Sequence, residues 1–177
     1  MVAAHSLYLL RHAKSSWDDP GLGDHARPLS PRGERAARDM AAYLQREAVQ
    51  LDLVLCSTAV RARQTVQALC LARQVCYEDD LYGAGAAELL ARLRRIPDGT
   101  GLVMVVGHNP GLQELAILCT GKGDPVILAR LRDRLPTGAL VQLAFQGPWA
   151  SLAEGGAVLE AMVAPRQLEG PGLGAGL

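Results

Sequence analysis

The sequence predicts a three-layer α/β/α sandwich, with a mostly parallel central sheet and an antiparallel hairpin at its C-terminal edge. Three observations support this α/β class. A length of 177 residues suits one domain. Hydrophobic residues make up 49% of the chain and aromatic residues only 4%, so Ala, Leu and Val must build the core, as is typical of helices packed on a sheet. Apolar runs alternate with amphipathic helices, which is the pattern of a parallel sheet with crossover helices.

The N-terminal part of the chain predicts a strand, a long loop and a helix. Residues 6–10 form a short apolar run that indicates a buried strand. The segment 11–29 is interrupted by prolines and glycines, so we expect a loop there. Ser30 before Pro31 is typical of a helix N-terminus, and apolar residues recur at helical spacing from there to about Glu47.

The middle of the chain repeats the order of strand, turn and helix. We expect strands over residues 51–56, 74–77 and 102–106. Apolar residues at helical spacing predict helices over residues 62–70, 89–96 and 112–119. Ser57 and Thr58 would cap the first of these helices, and Gly121 would end the last.

The C-terminal part of the chain predicts a hairpin and a tail. Residues 139–145 and 157–163 are rich in strand-forming residues, and the segment between them contains glycine and proline. They predict an antiparallel hairpin at one edge of the sheet. Residues 166–177 are rich in glycine and proline and predict a flexible tail. We therefore expect one folded domain over residues 1–165, followed by this tail.

Charge and composition argue against several classes of function. Lys and Arg together number 18, as do Asp and Glu, so bulk electrostatics gives no reason to expect a nucleic-acid-binding or membrane-surface protein. No apolar run approaches the ~20 residues needed to span a bilayer. The four cysteines include no C-x-x-C pair, and the N-terminus lacks the basic start of a secretion signal. We expect a cytoplasmic protein with reduced thiols and no membrane partner.

Three predicted junctions between a strand and a helix contain residues that could bind a ligand or take part in catalysis. They contain Arg11 and His12, the segment from Ser57 to Arg61, and His108. Because the carboxyl ends of parallel strands meet at one edge of a sheet, we expect these side chains to converge. Two guanidinium groups, two imidazoles and the N-termini of two helices together suit a phosphate dianion. The predicted ligand is therefore a phosphoryl group.

Four segments of the chain resemble motifs of the histidine phosphatase superfamily, in its SixA-like phosphohistidine phosphatase branch. They are LYLLRHAKS at residues 7–15, LSPRG at 29–33, CSTAVRARQT at 56–65 and VGHN at 106–109. Their order and spacing agree with the family over nearly the whole chain. The resemblance implies the phosphoglycerate mutase-like fold and a phosphatase that works without a metal or cofactor.

The resemblance implies that His12 is the nucleophile and is phosphorylated during turnover. It implies that Arg11, Arg61 and His108 hold the phosphoryl oxygens. The chemistry is consistent with these roles, since phosphoryl transfer needs in-line positioning and stabilisation of charge spread over three oxygens. Guanidinium groups supply that stabilisation through several donors in one plane. Neighbouring cations also keep His12 neutral and nucleophilic.

Further residues are weaker candidates for the site. Ser15, Ser57 and Asn109 could donate hydrogen bonds to phosphate or substrate, although Ser57 could equally cap a helix. Asp79 and Asp80 are candidates for a general acid, with a solvated loop as the simpler interpretation. A phosphohistidine substrate has a nitrogen leaving group that solvent can protonate, so it needs such an acid least.

Two departures from the wider superfamily favour the SixA-like branch. Ala13 follows His12 where many members have glycine, and Asn109 follows His108 where the phytase-like branch has an acid. The substrate is predicted to be a phosphohistidine-bearing protein. A small phosphate ester, such as a sugar phosphate, is the alternative substrate on the same fold.

Other functions fit the sequence less well. A non-catalytic phosphate-binding module would not need the complete set of two arginines and two histidines. A metallohydrolase is disfavoured because H-E-x-x-H is absent, and no Gly-Lys-Ser/Thr loop indicates ATP binding. Mutase activity is disfavoured because no closing lid can be identified. The remaining histidines, His5 and His25, match no motif and are expected to lie in solvent.

Overall fold

One central sheet with helices on both faces positions the residues of interest. The computed structural model describes residues 4–70 and 72–168. The strands are β1 (Ala4–Arg11), β2 (Leu53–Ser57), β3 (Val75–Glu78), β4 (Leu102–Gly107), β5 (Thr120–Gly123), β6 (Leu140–Gln146) and β7 (Ala157–Val163). The helices are α1 (Pro31–Arg46), α2 (Val60–Leu69), α3 (Ala86–Leu93), α4 (Gly111–Cys119), α5 (Pro125–Asp133) and α6 (Pro165–Leu168).

The strands lie in the order β3-β2-β4-β1-β6-β7-β5. Strands β3, β2, β4 and β1 are parallel to one another, and β6 is antiparallel to β1. The β6-β7 hairpin is antiparallel, and β5 runs parallel to β7 at the sheet edge. The predicted α/β fold, mostly parallel with an antiparallel C-terminal hairpin, is confirmed.

Strand β1 contributes to both hydrophobic cores because successive side chains of a strand point to opposite faces. Leu7 and Leu9 pack in the cluster that includes the inner faces of α3 and α4. Tyr8 and Leu10 pack in the cluster that includes α1 and α2. This alternation builds the three layers and fixes the direction in which β1 delivers the residues that follow it.

The N-terminus of α1 is formed as predicted, whereas that of α2 is not. Ser30 caps α1 by accepting a hydrogen bond from the Gly33 amide at 3.1 Å. The prediction that Ser57 and Thr58 cap α2 is wrong, because β2 continues through Ser57 and the helix begins only at Val60. The Ser57 hydroxyl instead accepts from the Ala59 amide at 3.3 Å, which shapes the turn between strand and helix.

Two elements after α4 were not predicted from the sequence. Strand β5 contains two glycines and no strand-forming run, so its place in the sheet comes from pairing with β7. Helix α5 does have a signal in the sequence. The Asp124 side chain accepts from the amides of Val126 and Ile127, and Pro125 occupies the first turn, which is a typical helix start.

Helix α6 includes the first residues of the predicted tail. The Gln167 Oε1 atom accepts from the Ala164 amide at 2.8 Å and from Arg130 at 3.1 Å. The part of the predicted flexible tail over residues 166–168 is therefore ordered on the domain, because these side-chain contacts hold it. Residues 169–177 lie outside the described residues, and their flexibility stays a prediction. Within residues 4–70 and 72–168, no helix has the length and apolar character to cross a membrane.

Candidate active site

The carboxyl ends of three neighbouring strands bring the predicted residues together. Strand β1 ends at Arg11, which is in register with Gly107 at the end of β4. The His12 amide donates to the Gly107 carbonyl at 3.0 Å, and the imidazole centroids of His12 and His108 are 5.0 Å apart. Strand β2 brings Ser57 to the same edge. The predicted convergence is present, and its catalytic role stays a proposal.

The His12 imidazole is buried and oriented by one backbone contact. Its Nδ1 atom lies 2.7 Å from the Ala13 carbonyl oxygen, which can only accept a hydrogen bond. The proton of the neutral ring is therefore assigned to Nδ1, and Nε2 keeps its lone pair. Burial lowers the pKa of His12 to about 3, with His108, Arg61 and Arg11 acting in the same direction. The ring is neutral at physiological pH.

Arg61 connects both histidines. It lies in the first turn of α2 with its side chain buried. Its Nε donates to His12 Nε2 at 3.2 Å, and its Nη2 lies 3.4 Å from His108 Nδ1. Its terminal nitrogens also donate to the backbone carbonyl and the carboxylate of Asp24. In the free protein, the guanidinium therefore already has an anion beside it.

Asp24 is a member of the site that sequence reasoning missed. Its Oδ2 accepts from Arg61 at 2.9 Å and from the Tyr82 hydroxyl at 2.7 Å, and its Oδ1 accepts from Arg27 at 3.1 Å. The hydrogen bond from Tyr82, and then Arg61, lower the pKa of this carboxyl. Asp24 belongs to the irregular loop between β1 and α1, where no periodic pattern indicates which side chains point inward. Its carboxylate is ionised at neutral pH.

The His108 imidazole is hydrogen-bonded to Ser57. Its Nε2 lies 2.8 Å from Ser57 Oγ, and the Ser57 side chain is fully buried. The edge of Tyr82 packs against the imidazole with centroids 5.3 Å apart. Burial, and then Arg61, lower the pKa of His108 to about 4. Since Arg61 can only donate to Nδ1, the proton of the neutral ring is assigned to Nε2, which donates to Ser57.

Arg11 has an unused donor in the site. Its Nη1 donates to the Leu135 carbonyl at 2.8 Å, while its Nε is buried without a hydrogen-bond partner among the described residues. Burial, and then Arg134, lower the pKa of Arg11, but a guanidinium stays protonated at physiological pH. A buried N–H without a partner costs free energy that an incoming oxygen would recover.

Ser15 and Asn109, which were predicted to contact substrate, make contacts within the protein. Ser15 is buried, and its hydroxyl accepts from Arg27 at 2.8 Å. Asn109 donates through Nδ2 to Gln113 at 3.0 Å and to the Leu135 carbonyl at 3.2 Å. Both side chains support the loops around the site. Their direct contact with substrate stays a prediction, as does that of Ser57.

The two candidate acids lie at the surface, beside the β3 end of the site. Asp79 and Asp80 are both exposed. Asp79 accepts from the Thr58 hydroxyl at 2.7 Å, and Thr58 lies 3.0 Å from the ring of His25. His25 is exposed as expected, and its ring also packs edge-on against Tyr82 at 4.8 Å. Neither acidic side chain has a contact with the two central histidines.

His5 is not in solvent, so that expectation is wrong. Only 2% of its surface is exposed. Its ring stacks on Trp149 at 5.2 Å and meets the edge of Phe145 at 5.3 Å. Because β1 pairs with β6, its side chains are carried into the interior even where they are polar. His5 is therefore a core residue far along β1 from His12.

Comparison with known proteins connects this geometry to a family. The model of the histidine phosphatase superfamily (branch 1) matches residues 7–81. An uncharacterised protein of Mycobacterium tuberculosis is 36% identical over 159 residues, covering 89% of this chain and 100% of that protein. The phosphohistidine phosphatase SixA of Escherichia coli is 31% identical over 135 residues, covering 68% of this chain and 78% of SixA.

A solved structure agrees with these relationships. The structure of a SixA homologue from Nakamurella multipartitia superposes with a TM-score of 0.83 at 36% identity, covering 92% of this chain and 97% of that chain. The family motifs supply the two histidines and two arginines that the fold brings together at one sheet edge. The chain belongs to the histidine phosphatase superfamily and is a SixA-like member of it.

Proposed function

We propose that this chain is a protein phosphohistidine phosphatase that transfers the phosphoryl group to His12 and then to water. One observation carries the proposal: the neutral His12 ring donates its Nδ1–H to the Ala13 carbonyl and has no proton on Nε2, whose lone pair accepts from Arg61 in the free protein. A nucleophile that is already deprotonated needs no separate base. The proposal includes a cytoplasmic location, with which the four free cysteines are consistent.

The first step forms a bond between phosphorus and His12 Nε2 as the bond from phosphorus to the leaving atom breaks. Charge spreads over the three equatorial oxygens during this transfer. Arg11 offers its unpartnered Nε–H to one oxygen, and Arg61 turns its donors from His12 and Asp24 to others. The Arg11 donor is in place before the substrate arrives, and such preorganised charge stabilisation lowers a barrier.

Ser57 allows His108 to donate a hydrogen bond to the phosphoryl group as well. In the free protein, the His108 proton lies on the side of Ser57 Oγ, 2.8 Å away. A hydroxyl can both donate and accept, so Ser57 can pair with either tautomer of the ring. When a phosphoryl dianion arrives near Nδ1, it favours a proton there, and the Ser57 hydroxyl then donates to Nε2. Ser57 is thus a positioning residue.

The leaving group decides which substrate suits this site. Asp24 is joined to the site, but Tyr82 and Arg61 hold its pKa low, so it is a poor proton donor at neutral pH. A phosphohistidine substrate leaves as an imidazole that solvent can protonate, whereas an alkoxide leaves poorly without a donor. We expect phosphohistidine and p-nitrophenyl phosphate to be hydrolysed faster than phosphoserine. In the second step, water attacks the phosphorus, and the bond to His12 Nε2 breaks.

Trapping the covalent intermediate tests the proposal. Brief reaction with labelled phosphohistidine, followed by denaturation, should leave label on His12 that is lost in acid and kept in alkali. His12→Ala should take no label and lose turnover. In the unaltered protein, a chelator should change neither the labelling nor the turnover. Label on a serine, or a normal rate in His12→Ala, would exclude this mechanism.

Variants of two arginines on α2 test the assignment of Arg61. Arg61→Ala should lower kcat by about 10²- to 10³-fold, the effect typical of removing one such donor. Arg61→Lys should recover only part of the loss because it lacks the planar fork. Arg63 lies on the same helix with an exposed side chain, so Arg63→Ala is the matched control and should keep the rate. Equal losses in the two alanine variants would contradict the assignment.

Comparing phosphohistidine with phosphoserine as substrates also distinguishes the proposed function from the alternative, a small-molecule phosphomonoesterase. Asp79→Asn and Asp80→Asn should leave phosphohistidine hydrolysis unchanged. A fast phosphoserine phosphatase activity that collapses in either variant would favour a small-molecule phosphomonoesterase with that residue as its acid.

A further inference from the structure

A basic groove opens beside the active site. It has a volume of about 360 Å³ and lies between the start of α1, the end of α5 and α6. Its charged lining residues, all exposed, are Lys14, Arg32, Arg130, Arg134, Arg166 and Asp133. Five cations and one carboxylate give the lining a formal charge of +4, on a chain whose total formal charge is zero. The positive charge is therefore concentrated here.

Among the described residues, no neighbouring side chain neutralises the cations of this groove. Within residues 4–70 and 72–168, none of the five forms an ion pair, and Arg130 donates only to the neutral Gln167. Apolar groups also line the groove, including the buried Met162 and Ala164. Unpaired cations around an apolar surface suit a ligand that carries both carboxylates and aliphatic groups.

The backbone connects this groove directly to the active site. Arg134, Pro136 and Thr137 line it. The buried Leu135 of the same segment holds Arg11 through its carbonyl. The next amide, that of Gly138, donates to the carbonyls of Arg11 and His12 at 3.0 Å each. Lys14 lies two residues after His12, within about 7 Å along the chain. A ligand in the groove would thus contact residues that are only a few positions along the chain from those that surround a phosphoryl group at His12.

We propose that the groove binds an acidic segment of the phosphorylated protein, next to its phosphohistidine. This inference rests on the proposed function. The phosphoryl group itself is accounted for by Arg11, Arg61 and His108, so the five cations are available for a second part of the substrate. Single-stranded nucleic acid is a poorer fit because none of the described residues that line the groove is aromatic, so bases have no side chain to stack on.

Three peptides of equal length test the proposal. Each carries one histidine phosphorylated with phosphoramidate, flanked on both sides by glutamates, serines or lysines. We expect kcat/KM to be about tenfold higher with glutamates than with serines, as two or three exposed ion pairs would give, and lower with lysines. The preference should vanish between 0.01 M and 1 M salt, as the screening length falls from about 30 Å to about 3 Å.

Charge-reversing variants inside and outside the groove test whether the preference for glutamates arises in the groove. Arg32→Glu with Arg130→Glu should reduce the glutamate-to-serine ratio to about one. The control is Arg38→Glu with Arg46→Glu, which makes the same change in charge at exposed arginines of α1 that do not line the groove, and should keep the ratio. The neutral pair Arg32→Gln with Arg130→Gln, expected to give an intermediate ratio, covers the case in which the reversal impairs folding.

The outcomes distinguish this inference from the proposed function. Hydrolysis of all three peptides at one rate would overturn the groove proposal alone. Competitive inhibition by tripolyphosphate that requires Arg32 and Arg130, without any effect of flanking glutamates, would replace it with a site for a small polyanion. Failure to hydrolyse every peptide, with normal hydrolysis of p-nitrophenyl phosphate, would overturn both proposals.

Discussion

Under the proposed function, the Asp24 carboxylate holds the position beside Arg61 that an oxygen of a phosphate would use. Its Oδ2 lies 2.9 Å from the Arg61 guanidinium. A phosphate ion that binds Arg61 must displace this carboxylate or bear its repulsion. The side chain of Asp24 is 53% exposed, so solvent weakens the repulsion without removing it.

Asp24→Asn should therefore tighten binding of inorganic phosphate and vanadate. Asparagine keeps an oxygen for Arg61 and removes the negative charge, so we expect both inhibition constants to fall about fivefold, the scale of an exposed charge pair. The control is Asp18→Asn, which changes an exposed carboxylate of the same loop that bonds to Ser16. Inhibition constants that are equal in the two variants would show that Asp24 does not compete with phosphate.

Residues that directly follow a strand could be predicted, whereas Asp24 and Tyr82 could not. Arg11, His12 and His108 are positioned by the register of β1 and β4, and buried strands are visible as apolar runs. Asp24 reaches the site through contacts between distant parts of the chain, which no local pattern reports. Ser57 shows the same distinction. Its place at the end of a strand was predicted correctly, whereas its role as a helix cap was not, because that role depended on the exact residue at which β2 ends.

At the scale of elements, the start of α1 supports the loop that follows His12. The Lys14 carbonyl accepts from the amide and hydroxyl of Ser30. A Cβ at Gly33 would lie 2.0 Å from the Lys14 carbonyl oxygen. The helix can approach this loop only because residue 33 has no side chain. This contact explains why the LSPRG segment has glycine at its end.

Gly33→Ala should lower both stability and activity. The added methyl group must push α1 away from Lys14, which costs about 1 to 3 kcal/mol of unfolding free energy and shifts the chain next to His12. Thermal unfolding and kcat/KM for p-nitrophenyl phosphate measure the two effects. Gly99→Ala is the control, since no atom lies within 4 Å of a Cβ there. A melting temperature in Gly33→Ala equal to that of the control would refute the packing argument.

Strand β5 and helix α5 show a second limit of sequence reasoning. Three of the four residues of β5 are Gly or Lys, which are depleted in strands, and the segment forms a strand by pairing with β7. Helix α5 had a readable start at Asp124 and Pro125, but it buries only Leu131, so its amphipathic pattern is weak. An element with few buried residues leaves little periodicity in the sequence.

At the scale of the whole molecule, burial of histidines makes stability depend on pH. Of the four histidines, His5, His12 and His108 are buried. Burial lowers the pKa of all three, to about 3 for His12 and about 4 for His108. An unfolded histidine titrates near 6.5. Below that pH, the unfolded state binds more protons, so stability that is fully present above 6.5 is lost as the pH falls.

The free energy of unfolding should therefore decrease between pH 7.5 and pH 5. The expected loss is up to about 2 kcal/mol for each of His12 and His108 at pH 5, with His5 adding a loss of the same sign. Urea unfolding at the two pH values measures it. His5→Phe should reduce the loss, and His25→Gln, a change at an exposed histidine, should not. An unfolding free energy that is constant over this range would contradict the buried neutral state.

The central position of β1 has a dynamic consequence. Strand β1 is hydrogen-bonded to β4 on one side and to β6 on the other, and it packs in both cores, so its amides open only when the whole domain unfolds. Residues 17–26, which include Asp24, are all exposed and have few backbone hydrogen bonds. We therefore expect local opening at a lower free-energy cost in this loop than in β1. The backbone of His12 should then stay in place if the loop that carries Asp24 opens. Under the proposed function, a bulky substrate would then enter without loss of the alignment of His12.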